Sequence, residues 1–325
     1  MRVTTIIPSR GTPGGPLARC VAALLAGRDA RLRIIASIDA PDAPDELEPL
    51  TRDGSVKVVA GEQGGPGAAR NRALEYAEGD LVLFLNDDVV PAPRLVDHHR
   101  AAHRDGLPKL VLGDAPFAVP GEDRVIDRLT RETALLFFYS DMNSMERDRD
   151  WSFRHAWTLN LSVPRAICEP FDGRLSHPMF DDLEWAYRVT TDNGAPVLYR
   201  PEASVTHHHR YEPAQILARE ALLGHQALAL HRTNPACATA VFGDRFDGSP
   251  ASTSDAQALI TADAAQEYAH FEAVATRPAL SANIHDLFAR ARTWRMAARA
   301  AGYLAAVNGK PSPTAASIFP VGTGV

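Results

Sequence analysis

Short apolar, β-branched runs alternate with helix-like stretches over the first 115 residues. Residues 3–7 (VTTII) form such a run, which Pro8 should stop; residues 32–38 (LRIIASI), 56–60 (VKVVA) and 81–85 (LVLFL) repeat the pattern. Between them, residues 17–26 and 68–77 carry helical spacing, and residues 11–16 and 61–67 are rich in Gly and Pro. Strands alternating with helices predict a mostly parallel sheet covered on both faces, because parallel neighbours need crossover connections.

The pattern loosens in the middle. Residues 125–139 suit a helix, with Val125, Ile126, Leu129 and Leu136-Phe137 on one stripe. Residues 141–157 are polar and aromatic and read as a loop. Strands are predicted at 158–163, 196–199 and 203–207, and a helix at 181–191. After Tyr211 strand patterns stop, and residues 213–232, 254–276 and 283–306 read as helices. The expected organisation is an α/β domain over 1–210 and a helical extension over 211–325, with a loose tail after Asn308. No internal repeat has a convincing period.

Composition narrows the class. A chain of 325 residues with 45% hydrophobic and 23% charged residues has enough apolar material for a large core, which excludes disorder as its main state. A net charge of −6 shows no general basic bias, so no nucleic-acid partner is expected. Cys20, Cys168 and Cys237 lie far apart and form no CxxC, which argues against a disulfide framework or a thiolate zinc site and fits a cytoplasmic location. The opening MRVTTIIPSR is too short in its apolar run for a signal peptide. No stretch approaches the ~18 apolar residues of a membrane span, so the expectation is no spanning helix, with peripheral association left open.

Candidate chemistry clusters at strand ends. Asn86-Asp87-Asp88 follows a five-residue apolar strand. Ligands of open α/β sheets sit at the carboxyl ends of strands, and paired carboxylates there suit a divalent cation that also holds phosphate oxygens. Asp is equally an ordinary turn residue, so the triplet alone reads as well as a solvated turn. Asp39 also ends a strand; it suits a turn or cap, or a hydrogen bond to a nucleotide base. The loop from Gly61 to Gly67, running into Ala68-Ala69-Arg70-Asn71, could bring backbone amides and Arg70 near a diphosphate. Asp181-Asp182-Leu183-Glu184 opens a helix, where acidic residues are favoured by the helix dipole; a carboxylate there can also act as a general base. His207-His208-His209 follows a strand, but three consecutive side chains cannot all face one ion.

Together these features resemble glycosyltransferase family 2, whose members have the GT-A (nucleotide-diphospho-sugar transferase) fold. The resemblance runs over about residues 3–210. It rests on Thr5-Ile6-Ile7-Pro8-Ser9, Asp39, Gly67-Ala68-Ala69-Arg70-Asn71, Gly79-Asp80 with the strand into Asn86-Asp87-Asp88, Asp181-Asp182 with Arg188, and Ala203 to His207. Asn86 stands where the family has Asp, Asp181 where it has Glu, and Phe171-Asp172-Gly173 keeps only part of the family's glycine-glycine-Phe-Asp pattern.

The resemblance implies an inverting transfer of a sugar from a nucleotide-sugar donor, most simply a UDP-sugar, to a hydroxyl acceptor, with Mn²⁺ or Mg²⁺ as cofactor. It implies Asp182 as general base, and Asp88 and His207 as metal ligands. Pro8, Ser9, Arg10, Asp39, Gly67, Arg70, Asn86 and Asp87 would line the donor site. Asn160, Asp181 and Trp185 would lie on the acceptor side or support the site from behind. The helices after 211 carry no readable motif; packing on the first domain, shaping the acceptor side and pairing two copies as a homodimer are their expected uses. Two other readings are a nucleotidyltransferase making nucleotide sugars and a non-catalytic sugar-nucleotide binding protein. The first leaves Asp182 and His207 unexplained and lacks a lysine near the loop 11–16; the second rests on Asn86 alone.

Overall fold

The computed structural model describes residues 1–27, 29–52, 54–118, 121–137, 139–142, 146–175, 179–279 and 282–319. Two compact units divide them. One contains residues 1–118 and 141–209, the other residues 119–140 and 210–325.

The first unit is built on a seven-stranded sheet in the order β3-β2-β1-β4-β7-β6-β8. The strands are β1 (Val3–Ser9), β2 (Leu32–Ile38), β3 (Val56–Ala60), β4 (Leu81–Leu85), β6 (Leu110–Gly113), β7 (Asn160–Pro164) and β8 (Val197–Arg200). Neighbours are parallel except around β7, which is antiparallel to both β4 and β6. The mostly parallel mixed sheet implied by the strand–helix alternation is therefore present. β4 is buried along its whole length, as a central strand covered on both faces should be. Helix Gly65–Leu74 packs on β1 and β2, and helix Leu95–Ala102 packs on β6. A separate two-stranded ribbon pairs β5 (Val89–Pro91) antiparallel with β9 (Val205–His207).

Three local departures from the sequence pattern have physical causes. β1 runs on through Pro8 to Ser9. β4 pairs only with Val3 to Ile6, so Pro8 has β2 alone beside it and its missing N–H breaks no bond on the β4 side. The helix expected at 68–77 is Gly65–Leu74, because its first amides are bound by Asp39. Strand β6 and helix Leu95–Ala102 were not legible: LVLG is only four residues long, and LVDHHRAA buries His99 and Arg100 on its inner face.

The second unit is helical. Helix Pro213–Thr233 packs against helix Ile284–Val307 at backbone contact. A β-carbon on Gly224 would lie 1.8 Å from the Arg299 carbonyl oxygen, and one on Gly302 would lie 1.8 Å from that of Ala221. Between these helices Glu220 is fully buried and accepts from Arg295 Nε at 3.1 Å and Arg299 Nε at 2.5 Å. Helix Val125–Glu132 belongs to this unit. Arg124 and Arg210 both donate to Asp127, Arg124 also reaches Glu212, and Arg277 O accepts from Val125 N. The helix stops at Glu132, where Thr133 turns extended, instead of continuing to 139. The stretch expected as one helix at 254–276 is two, Pro250–Leu259 and Ala262–Ala275, with Thr261 capping the second. The tail contains a short helix, Ala315–Ile318, with Ile318 buried; residues 320–325 of the expected loose tail lie outside the described residues. Among the described residues no helix is long and apolar enough to cross a membrane.

Candidate active site

The sheet reverses direction of growth between β1 and β4, and the crevice outside the carboxyl ends of such strands is where open α/β sheets hold ligands. Most of the candidate residues of the first unit converge there. Ser9, at the end of β1, donates its hydroxyl to Asp87 Oδ2 at 2.6 Å and accepts from the Gly11 amide. Burial raises the Asp87 carboxyl above its ordinary range, and the neighbouring Asp88 charge adds to this against the Ser9 bond. Pro8 is buried in β1, while Arg10 is exposed just beyond it.

Asp39 follows β2 and accepts from the backbone amides of Gly64 (2.8 Å) and Gly65 (3.0 Å). It thus anchors the glycine-rich loop and the first turn of helix Gly65–Leu74, satisfying donors that a helix start leaves open. Arg72 clamps the same loop by donating to Ile38 O and Glu62 O. Within that first turn Gly67 keeps the backbone close to the next acidic motif: a β-carbon there would lie 3.6 Å from Asp181 Cβ.

Arg70 and Asn71, from the same helix, tie it to the segment leading into helix Asp181–Asn193. Arg70 Nη1 donates to Asp181 Oδ2 at 2.8 Å, with both side chains about 95% buried, and Arg70 Nη2 lies 3.5 Å from Asn86 Oδ1. Asn71 exchanges two hydrogen bonds with the Phe171 backbone. Asp182 is held more loosely, by Thr158 N at 3.4 Å and Thr158 Oγ1 at 3.5 Å. Burial, then the adjacent Asp181 charge, pushes the Asp182 carboxyl up to about 7, with Arg70 pulling the other way. A carboxylate so placed is a proton acceptor near neutrality.

Asp88 lies where the β5–β9 ribbon brings His207 alongside, Val89 being paired with His207. Asp88 Oδ2 is 3.2 Å from His207 Nε2 and 3.6 Å from His209 Nδ1. Asp88 Oδ1 is buried and has no hydrogen-bond partner among the described residues. Burial would raise this carboxyl, but the bonds and charges of the two histidines outweigh it and hold it well below the usual range. His207 is itself buried and stacks on Phe117 at 4.6 Å. His209 was not singled out from the sequence. Its signal was the i, i+2 spacing from His207, which places both on one side of an extended segment while His208 is exposed on the other.

Two candidates do not reach the crevice. Trp185 is fully buried, stacked on Phe171 at 5.1 Å and edge-on to Phe84, with its indole N–H on Glu169 O. Asn160 is fully buried, and its amide is spent on backbone carbonyls and His99.

Residues 4–156 match the sequence model of glycosyl transferase family 2. The chain carries a glycosyltransferase family 2 domain. Two curated proteins, the pre-mycofactocin glycosyltransferases of Mycobacterium tuberculosis strains CDC 1551 and H37Rv, are each 27% identical over 243 residues. The match covers 72% of this chain and 48% of theirs, so the chain spans about half the length of the curated relatives it matches. Among solved structures, S. aureus TarS 1–349 aligns with a TM-score of 0.49 at 13% identity, covering 95% of this chain and 92% of that one. GalNAc-T7 with UDP, GalNAc and Mn²⁺ aligns with a TM-score of 0.45 at 15% identity, covering 65% and 44%. The matched residues run from Thr4 in β1 through β6 of the structure described above and include Asp88, while Asp182 lies beyond them.

Proposed function

We propose that this family 2 protein is a metal-dependent inverting glycosyltransferase that moves a sugar from a nucleotide-sugar donor, most simply a UDP-sugar, to a hydroxyl acceptor. The observation that carries this reading is the Asp88–His207 pair with its unpartnered, buried Oδ1 at the carboxyl edge of the sheet. A buried carboxylate oxygen without a donor costs free energy that a cation would repay. Among the described residues no group of three or more His, Cys, Asp or Glu side chains is arranged to hold a metal ion. Two protein ligands are nevertheless what Mg²⁺-type sites commonly offer when phosphates complete the shell. Asp88 and His207 would hold the ion, and when bound it supplies charge neutralisation to a leaving diphosphate.

The remaining work falls to the chain's own groups. Asp182 takes the proton of the acceptor hydroxyl at one of its carboxylate oxygens, with Thr158 orienting it. Arg70 keeps Asp181 and Asn86 in place, so the two acidic motifs hold one arrangement. Asp39 and Arg72 hold the glycine-rich loop, and with Pro8, Ser9, Arg10, Gly67 and Asp87 this edge lines the nucleotide pocket. The names of the curated relatives support glycosyl transfer as the reaction class.

Calorimetry with UDP, with Mn²⁺ and then with EDTA, tests the reading. Wild type should bind more tightly with Mn²⁺, and Asp88→Ala should lose that increment while keeping its melting temperature. Binding that ignores Mn²⁺ in wild type would contradict it.

A further inference from the structure

Behind the site, four buried side chains form a hydrogen-bonded chain whose proton positions are fixed by elimination. Asn160 Nδ2 faces two backbone carbonyls, Asp114 O at 3.0 Å and Ala203 O at 2.8 Å. Carbonyls only accept, so both amide protons are used there and Asn160 Oδ1 must accept. Its partner is His99 Nε2 at 3.0 Å, which therefore carries the proton. Burial holds His99 neutral, its pKa lowered to about 4, so Nδ1 is bare and accepts from the Ser162 hydroxyl at 2.8 Å. Ser162 has one proton, now spent, so its oxygen accepts from His103 Nε2 at 2.9 Å. His103 Nδ1 is buried without a partner among the described residues, ending the chain. His99, Asn160 and Ser162 are each fully buried, and His103 is 1% exposed.

One of the two carbonyls that Asn160 joins, Asp114 O, begins the ladder that delivers His207. Val205 N donates to Asp114 O, His207 N to Pro116 O, and Ala118 N to His207 O. Asp114 O thus receives both the Asn160 amide and the first rung of the ladder. The packing leaves no slack: a β-carbon on Gly113 would lie 2.0 Å from Ala203 O and 2.2 Å from Asn160 Nδ2. On its other side, Asn160 is the first residue of β7, two residues from Thr158, the residue that touches Asp182.

We infer that the His99–Asn160 pair is a positioning device for the site: by locking the Asn160 amide in one orientation it fixes the register of β9 and with it the placement of His207 against Asp88. The metal-facing consequence rests on the function proposed above; the structural consequence, the environment of the His207 ring, does not. His99→Ala removes the donor that holds Asn160 Oδ1 against its two carbonyl bonds, and His99→Gln can restore an N–H to Asn160 Oδ1 and an acceptor to Ser162. Outer-shell partners of metal ligands are typically worth ~10–100-fold in metal affinity.

The test measures UDP affinity in Mn²⁺ and in EDTA, the melting temperature, and the NMR resonances of the His207 ring, in wild type and both variants. The expected result for His99→Ala is Mn²⁺-dependent UDP affinity lower by ~10-fold or more, unchanged affinity in EDTA and shifted His207 resonances, with His99→Gln returning all three toward wild type. Should His99→Ala not fold, Ser162→Ala, which removes the donor that keeps His99 Nδ1 bare and so releases the proton from Nε2 and weakens the bond to Asn160, should give the same direction at smaller size. His207 resonances unchanged in folded variants would overturn the inference. So would equal losses in Mn²⁺ and EDTA that follow the melting temperature. If wild type shows no response to Mn²⁺, the proposed function falls, and the His207 resonances alone then decide the positioning role.

Discussion

Asp181 and Asp182 are neighbours with different surroundings, and the difference assigns them different work. Asp181 is paired with Arg70 in a buried ion pair, so Asp181→Asn leaves a buried guanidinium without its counter-charge. Removing one partner of such a pair costs ~3–5 kcal/mol, which thermal unfolding should show as a large fall in melting temperature. Asp182 has only weak bonds from Thr158, and its carboxyl is raised to about 7. Asp182→Asn should lower single-turnover transfer by ~10²–10⁴-fold while UDP affinity persists. The rate should rise with pH through about 7 and flatten above it, since a base must be ionised. The linkage to stability has the opposite sense. A carboxyl whose folded pKa exceeds its unfolded value of ~4 binds more protons folded, so its contribution falls as pH rises from about 4 to about 7. Asp182→Asn should therefore melt higher than wild type at pH 8; a lower melting point would mean the ionised carboxylate is stabilised.

Elements carry these residues, and two of them depend on polar groups that sequence patterns reveal only in part. Asp39 was legible as a strand-end carboxylate, and the sequence left a cap and a base contact both open. The structure shows it binding Gly64 and Gly65 amides. Asp39→Ala should cost ~1 kcal/mol, the usual worth of a helix cap, and weaken UDP binding through a looser loop; chemical denaturation and calorimetry measure the two effects. The strands β1 to β4 and helix Asp181–Asn193 were readable because each is a compact apolar run or a motif-bearing helix. β6 and helix Leu95–Ala102 were not, since their burial is paid in His99, Arg100 and a glycine. Asn160 and Trp185 were expected on the acceptor side or behind the site, and their full burial comes from tertiary packing that local pattern does not show. Buried His99 and His103 have pKa values lowered to about 4 and about 3, first by burial. His98 and Lys109 act in the same direction, and Glu202 and Asp105 oppose them. Unfolding frees both to titrate near ~6.5, so stability should fall as pH drops below that value toward 4. A stability curve flat over pH 4–7 would mean that both histidines titrate in the fold as they do in the unfolded chain.

At the scale of the whole molecule, the chain separates chemistry from packing. The sheet unit holds all the residues proposed to act on substrate, and the helical unit joins residues 119–140 to 210–325. That assignment of 119–140 was hidden from local periodicity, because the Asp127 contacts with Arg124 and Arg210 span 83 residues for the second of them. Within the helical unit, Gly224→Ala puts a methyl into the Arg299 carbonyl and must force two helices apart. Overpacking of that kind costs ~1–3 kcal/mol and should appear as a lower melting temperature.

In the proposed transfer the Asp88 motif serves the donor diphosphate and Asp182 the acceptor hydroxyl. Nucleoside diphosphate release from a panel of nucleotide sugars, with hydroxyl acceptors and Mn²⁺, measures it most directly. Release is expected with at least one UDP-sugar, abolished by EDTA and by Asp88→Ala. Full release in EDTA, or an Asp88→Ala variant as active as wild type, would contradict it.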